Sequence, residues 1–165
     1  MSLHIHKGYI PGAIGSVVAL HARYYRDLAG FGLAFETKVA RELCAFCERY
    51  DDERDGLWLA LQDGQVAGSI AIDGSHAGQD GAHLRWFITS DALRGTGVGT
   101  ALLTAAMAFC AARHDLRVYL WTFEGLDAAR HLYEKAGFRL ALQQRGRQWG
   151  VEVNEQRFEY RAAPD

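Results

Sequence analysis

Hydrophobic positions along this chain change their period several times, and each change marks an element. Ile14, Val17, Val18, Leu20, His21, Tyr24, Tyr25 and Leu28 recur at three- and four-residue intervals, the pattern of a helix with one buried face, and Gly30-Phe31-Gly32 ends it. A second helix is expected from about Phe35 to Arg49, through Val39, Leu43, Phe46, Cys47 and Tyr50, stopping in the acidic loop Asp51-Asp52-Glu53. The period then shortens. Leu57–Leu61 and Val66–Ile72 read as strands, and Asp63-Gly64 between them supplies residues that tolerate the positive φ of a tight hairpin. Beyond a polar, glycine-rich loop at 76–81 come a strand Leu84–Thr89, a helix Thr100–Ala112, a strand Leu116–Phe123 and a helix Asp127–Ala136, with Gly137 placed to end that helix. His4-Ile5-His6-Lys7 alternates as a first strand with both histidines on one face, and strands at 138–142 and 148–160 finish the chain.

One stretch carries candidate chemistry. Arg94-Gly95-Thr96-Gly97-Val98-Gly99 follows a strand and opens a helix. Glycine lets a backbone approach a ligand closely, and the first turn of a helix leaves N–H groups unpaired at the positive end of the macrodipole, so phosphate oxygens are the expected guests. A nucleotide P-loop would need Lys-Ser or Lys-Thr after the last glycine, where Thr100-Ala101 stands. A dinucleotide fingerprint would need glycine where Thr100 is, directly after its strand, although Glu124 has the character of its ribose acid.

The spacing of Arg94, Gly97 and Gly99 resembles the pyrophosphate loop of the GNAT superfamily of N-acetyltransferases, Arg/Gln-x-x-Gly-x-Gly/Ala. Ala129-Arg130-His131-Leu132-Tyr133-Glu134-Lys135-Ala136-Gly137-Phe138 resembles that family's closing A-x-x-L-Y-E-x-x-G-F block, in the same order and again after a strand. Trp121-Thr122-Phe123 leading into Ala128-Ala129-Arg130 is also similar to acetyltransferase domains fused elsewhere to winged-helix regulators; no such regulator half is present here. The resemblance implies an α+β GNAT-like fold, a central, mostly antiparallel sheet of about seven strands flanked by four helices, with residues 1–165 as one acetyltransferase domain. It also implies acetyl-CoA as cosubstrate, no metal, and a primary amine of a small molecule or amino acid as acceptor.

Site residues follow from the same resemblance. Tyr133 is expected to give a proton to the departing thiolate, with Glu36 and Glu124 as candidate bases and His83 and His21 behind them. The cofactor is expected along Phe87, Ile88 and Thr89 and at the amides of Arg94, Gly95, Thr96, Gly97, Val98, Gly99 and Thr100. Tyr25, Phe35, Trp86 and Trp121 are candidates for the acceptor pocket, with Tyr24, Phe31 and Phe123 as further aromatics. Many relatives carry Asn where Leu126 stands, and Asp127 is expected to cap the following helix. A non-enzymatic acyl-CoA sensor would keep the phosphate cradle without turnover, and Leu126 leaves that alternative open.

Composition narrows the function classes. The 165 residues, 49% hydrophobic, suffice for one well-buried domain. A net charge of −2 gives no electrostatic reason to expect nucleic acid, and Arg145, Arg147, Arg157 and Arg161 alternate with Glu152, Glu155 and Glu159 as on a solvated strand face. The longest apolar run, Ala101–Ala112 broken by Thr104, falls short of the ~20 residues that span a bilayer. His4, His6 and Lys7 interrupt any apolar leader, so a cytoplasmic location is expected. A homodimer stays open. Three cysteines make no disulfide framework, and Cys44-x-x-Cys47 reads as small buried thiols on a helix, because no further ligands for zinc accompany it.

Overall fold

The computed structural model describes residues 2–115 and 117–163; Leu116, where the sequence places the start of a strand, lies outside them. In chain order the elements are β1 (Leu3–Lys7), α1 (Ala13–Ala29), α2 (Leu33–Glu48), β2 (Gly56–Gln62), β3 (Gln65–Asp73), β4 (Ala82–Thr89), α3 (Val98–Ala112), β5 (Arg117–Phe123), α4 (Asp127–Lys135), β6 (Arg139–Gly146) and β7 (Val153–Arg161). They form one seven-stranded sheet in the order β1-β2-β3-β4-β5-β7-β6, in which only β4 and β5 run parallel. The expected α+β fold is therefore present.

Local chemistry explains most boundaries. Asp63 and Gly64 both have positive φ, 51° and 81°, so the β2–β3 hairpin turns as the Asp-Gly pair requires. Gly30, at φ 72°, ends α1 and donates its N–H to the Arg26 carbonyl. Gly137 at φ 103° follows α4 in the same way. Alternation along β2 divides the core. Leu57, Leu59 and Leu61 pack with α1 and α2 on one face, while Trp58 and Ala60 pack with α3 on the other.

The central irregularity lies in β4. Ser69 pairs with Ile88 and Ala71 with Arg85, so Trp86 and Phe87 together face Ile70. That is a bulge, and Trp86 takes φ 49° to make it, a conformation rare for a bulky aromatic residue. Ser69 Oγ donates to the Trp86 carbonyl at 2.6 Å and holds the distortion. On the other side of β4, among the described residues, the ladder to β5 contains only Ala82–Val118 and His83–Tyr119. From Leu84 onward the two parallel strands diverge as a fork.

Four expectations need correction. The last strand begins at Val153 rather than 148, because residues 147–152 form the β6–β7 turn and β6 extends to Gly146. Asp127 does not cap α4; it is the first helical residue, and Leu126 holds the cap position with no side-chain bond. Cys44 is exposed and Cys47 partly buried, since α2 turns Val39, Leu43 and Phe46 inward instead. Glu155 also departs from a solvated face: it is buried and accepts from the Gln148 backbone N–H at 3.0 Å and side-chain amide at 2.9 Å, bracing the β6–β7 turn. Among the described residues no helix is long and apolar enough to cross a membrane.

One polar side chain lies on the buried face of α1. His21 bonds through Nδ1 to the Val17 carbonyl at 2.8 Å, so that nitrogen carries the proton and Nε2 is an acceptor. Burial lowers its pKa to about 4, because water is not there to solvate the imidazolium.

Two outcomes follow from these contacts. Ser69→Ala leaves the buried Trp86 carbonyl without its donor and is expected to cost about 1–3 kcal/mol in urea unfolding; a change too small to resolve would mean the hydroxyl does not hold the bulge. For His21, the unfolded imidazole takes up a proton below pH 6.5 while the folded one resists until about 4, so its contribution to stability is lost as pH falls through that window. Relative to His21→Asn, the protein should lose roughly 3 kcal/mol more between pH 7 and pH 4, and parallel stability curves would remove the assignment.

Candidate active site

Two cavities meet at the fork. The larger, about 650 Å³, lies between the C-terminal half of β4, the loop into α3, and the start of α4. Phe87, Ile88, Thr89, Arg94, Gly95, Gly97, Val98, Gly99 and Thr100 line it, so nine of the ten expected cofactor residues share one wall. Gly95 and Gly97 have φ of 78° and 80°, and a Cβ added to either would meet nothing within 4 Å: the backbone there borders open space. Among the described residues, the N–H groups of Gly95, Gly97, Gly99 and Thr100 donate to no backbone carbonyl of the turn. Thr96 has a different place. Its hydroxyl donates to the Leu93 carbonyl at 2.6 Å and accepts weakly from the Val98 N–H at 3.4 Å, so it builds the turn rather than the wall. Arg94 is exposed at the rim and paired with Asp91 at 3.0 Å.

The smaller cavity, about 330 Å³, opens between α1, α2 and the fork. Tyr25, Phe35, Trp86 and Trp121, the four expected acceptor residues, all line it. Phe31 is the hub of its aromatic wall, with ring centroids 5.9 Å from Tyr25, 5.0 Å from Phe35, 5.2 Å from Phe123 and 6.3 Å from Trp149. Tyr25, Phe87, Leu126 and Ala129 border both cavities.

Tyr133 lines the smaller cavity beside Phe87, which borders both. Its ring is 5.9 Å from that of Phe87, and a Cβ on Gly99 would come within 3.8 Å of the Phe87 ring, so one side chain joins the tyrosine to the glycine turn. Phe138 and Phe158 hold its other sides at 6.0 and 6.1 Å. Burial, reinforced by the nearby Tyr25 phenol, raises its pKa above the usual phenol range, and the hydroxyl stays protonated. No hydrogen bond within the described residues occupies that hydroxyl.

The proposed bases are placed differently. Glu36 is exposed on α2, and Glu124 is exposed at the end of β5, where Asn154 donates to it at 3.2 Å; neither lines a cavity. His21 and His83 both line the smaller one. His83 stacks on Tyr119 at 4.4 Å, and burial beside the Arg85 cation lowers its pKa to about 3. Both imidazoles are therefore neutral at physiological pH.

Several wall residues carried no signal strong enough to select them in the sequence. Lys38, Glu42 and Arg85 line one end of the cavity, with Glu42 accepting from Lys38 at 2.9 Å and from Arg85 at 2.8 Å. The three-, four- and seven-residue steps from Phe35 to Lys38, Val39 and Glu42 place them on one helical face, which is the only hint available in advance. Trp149 and Gln148 arrive from the β6–β7 turn, where the sequence pattern alone places a strand. Among the described residues no group of three or more His, Cys, Asp or Glu could hold a metal ion.

Comparison with known proteins bears on the fold. An acetyltransferase from Streptococcus agalactiae superposes with a TM-score of 0.74 at 20% identity, covering 97% of this chain and 98% of its own. A ribosomal-protein-alanine N-acetyltransferase from Brucella melitensis gives 0.73 at 16%, covering 96% and 99%. An IAA acetyltransferase from Bacillus cereus gives 0.64 at 16%, covering 98% and 100%. At these identities the likeness concerns the fold alone. The sequence model of the acetyltransferase (GNAT) family matches residues 17–138, from the middle of α1 through the block that contains Tyr133. The chain belongs to the acetyltransferase (GNAT) family.

Proposed function

We propose that this chain transfers an acetyl group from acetyl-CoA directly to a primary amine on a small molecule or amino acid. The observation that carries the reading is the junction itself: a cleft of unpaired amides and an aromatic cavity share a wall at which a buried, protonated tyrosine stands.

The residues fit acetyl-CoA. The amides of Gly95, Gly97, Gly99 and Thr100, at the positive end of α3, suit a diphosphate. Past Leu84 the groups of β4 that would face β5 have no strand partner, an edge along which an amide-bearing arm can pair as an added strand. Leu126 borders that route with an apolar side chain, and the uncapped start of α4 supplies backbone N–H groups beside it. The cosubstrate supplies an acetyl thioester.

The chain's own groups have two tasks. Tyr133 Oη donates its proton toward sulfur as negative charge develops there. Proton acceptance from the amine falls to the neutral imidazoles of His21 and His83, since Glu36 and Glu124 lie outside the cavities. Histidines depressed this far are unprotonated at neutral pH, but they are weak bases, so the reaction depends on the fraction of acceptor that is already a free amine. For an alkylamine with a pKa of about 10.4 that fraction is small.

Tyr133→Phe is expected to lower kcat by about 10²–10⁴ while CoA binding, followed by calorimetry, changes little. Unchanged turnover would remove the tyrosine from the chemistry, and tight CoA binding with no amine-stimulated thiol release would mark a sensor instead. With an alkylamine acceptor, kcat/KM should rise about tenfold per pH unit from pH 6 to 9 with no bend near 6.5, because neither imidazole titrates there; a bend at that pH would contradict the assignment of the two histidines.

A further inference from the structure

The smaller cavity is chemically two-sided, and the division selects a class of acceptor. One side is the aromatic wall around Phe31, in which the Phe31 and Trp149 rings are nearly parallel, 21° apart, and Phe35 and Phe123 close the flanks. The other side is the charged row Lys38, Glu42 and Arg85. Two cations and one carboxylate face the cavity there, and the two histidines beside them are neutral, so the lining carries a net positive charge.

Arg85 is the under-bonded member. A guanidinium offers five N–H donors. Among the described residues its hydrogen bonding is limited to Nη2 donating to Glu42 Oε2 at 2.8 Å. Asp73 lies 3.7 Å away, beyond hydrogen-bond length, and is engaged elsewhere: Arg49 grips both its oxygens at 3.1 and 2.7 Å, and the Ser75 hydroxyl donates to it at 2.7 Å. Arg85 is also only 17% exposed, with its guanidinium carbon 4.2 Å from the centre of the Trp86 ring, so water is a poor substitute for a partner. A cationic group at that end would be repelled, and a neutral oxygen would accept from the donors without matching their charge or offering the bidentate geometry of a carboxylate.

We propose that the acceptor amine is borne on a flat apolar body that also carries an oxyanion, a carboxylate in the simplest form: Arg85 and Lys38 hold the anion, and Phe31, Phe35, Phe123 and Trp149 hold the body. The amine then points toward Tyr133 and the fork. This rests on the transferase reading above, and it narrows the acceptor from any small amine to amino-carboxylates with an aromatic frame. Arg85 and Lys38 act as specificity residues; they take no part in moving protons.

Matched pairs of acceptors test it: phenylalanine against phenylalaninamide, and 4-(aminomethyl)benzoate against 4-(aminomethyl)benzamide. Each is assayed for acetyl transfer and, separately, for calorimetric binding to the CoA-loaded protein. The carboxylate member of a pair should be favoured by about tenfold to a hundredfold in kcat/KM and in Kd. In Arg85→Gln that ratio should fall toward one, and Lys38→Gln should reduce it in a protein that keeps the Arg85–Glu42 pair. Arg85→Lys should retain part of the preference, because charge survives while the planar fork is lost. Equal treatment of acid and amide, a preference that survives both glutamine variants, or failure of every carboxylate to bind would overturn the inference. Carboxylates that bind through Arg85 without being acetylated would sink the transferase reading and leave this one standing; acetyl transfer without carboxylate preference would do the reverse.

Discussion

The structure depends on an interrupted hydrogen-bond ladder. Parallel strands side by side normally satisfy each other's backbone groups along their whole length, and among the described residues β4 and β5 do so at only two residue pairs. The bulge at Trp86 redirects β4, the Ser69 hydroxyl satisfies the displaced carbonyl, and the strands separate around space instead of closing it. Everything with chemical potential is arranged about that gap. The glycine turn lies past the end of one strand, the start of α4 follows the other, and Tyr133 reaches the space between them. An uninterrupted ladder would place backbone where both cavities now lie.

Burial sets the protonation states around the gap. Tyr133 is kept a phenol, and His21 and His83 are kept as neutral imidazoles, each because its charged form would lose water without gaining a sufficient partner. The charge bordering the smaller cavity lies in a row that runs from Lys38 through Glu42 and Arg85 to Asp73 and Arg49. That row fixes α2 against the sheet at the closed end of the fork. The smaller cavity is thus apolar and uncharged near the tyrosine and ionic at the opposite end.

What was legible in the sequence was local. The Asp63-Gly64 hairpin, the glycine ends of α1 and α4 and the strand at Leu57–Leu61 each need residues a few positions apart to agree, and they form as expected. The turn at Arg94–Gly99 belongs to the same group, because unpaired amides at a helix start are a property of the helix and its glycines. Tyr133 was legible only through a motif, since nothing in its immediate neighbours distinguishes a tyrosine at a junction from one packed in a core.

The tertiary structure decided the rest, and the reason is sequence distance. Trp149 meets Phe31 across more than a hundred residues because Glu155 braces the β6–β7 turn, and no local periodicity encodes that meeting. Arg85 finds Glu42 forty-three positions away, and only their contact makes a net-positive wall from what reads as scattered charge. Glu36 and Glu124 carry suitable functional groups, yet helix rotation and strand end leave them in solvent. Period and glycine placement determined the elements and the glycine turn; the fork, the aromatic wall and the protonation states arose when the sheet placed distant residues around one interrupted ladder.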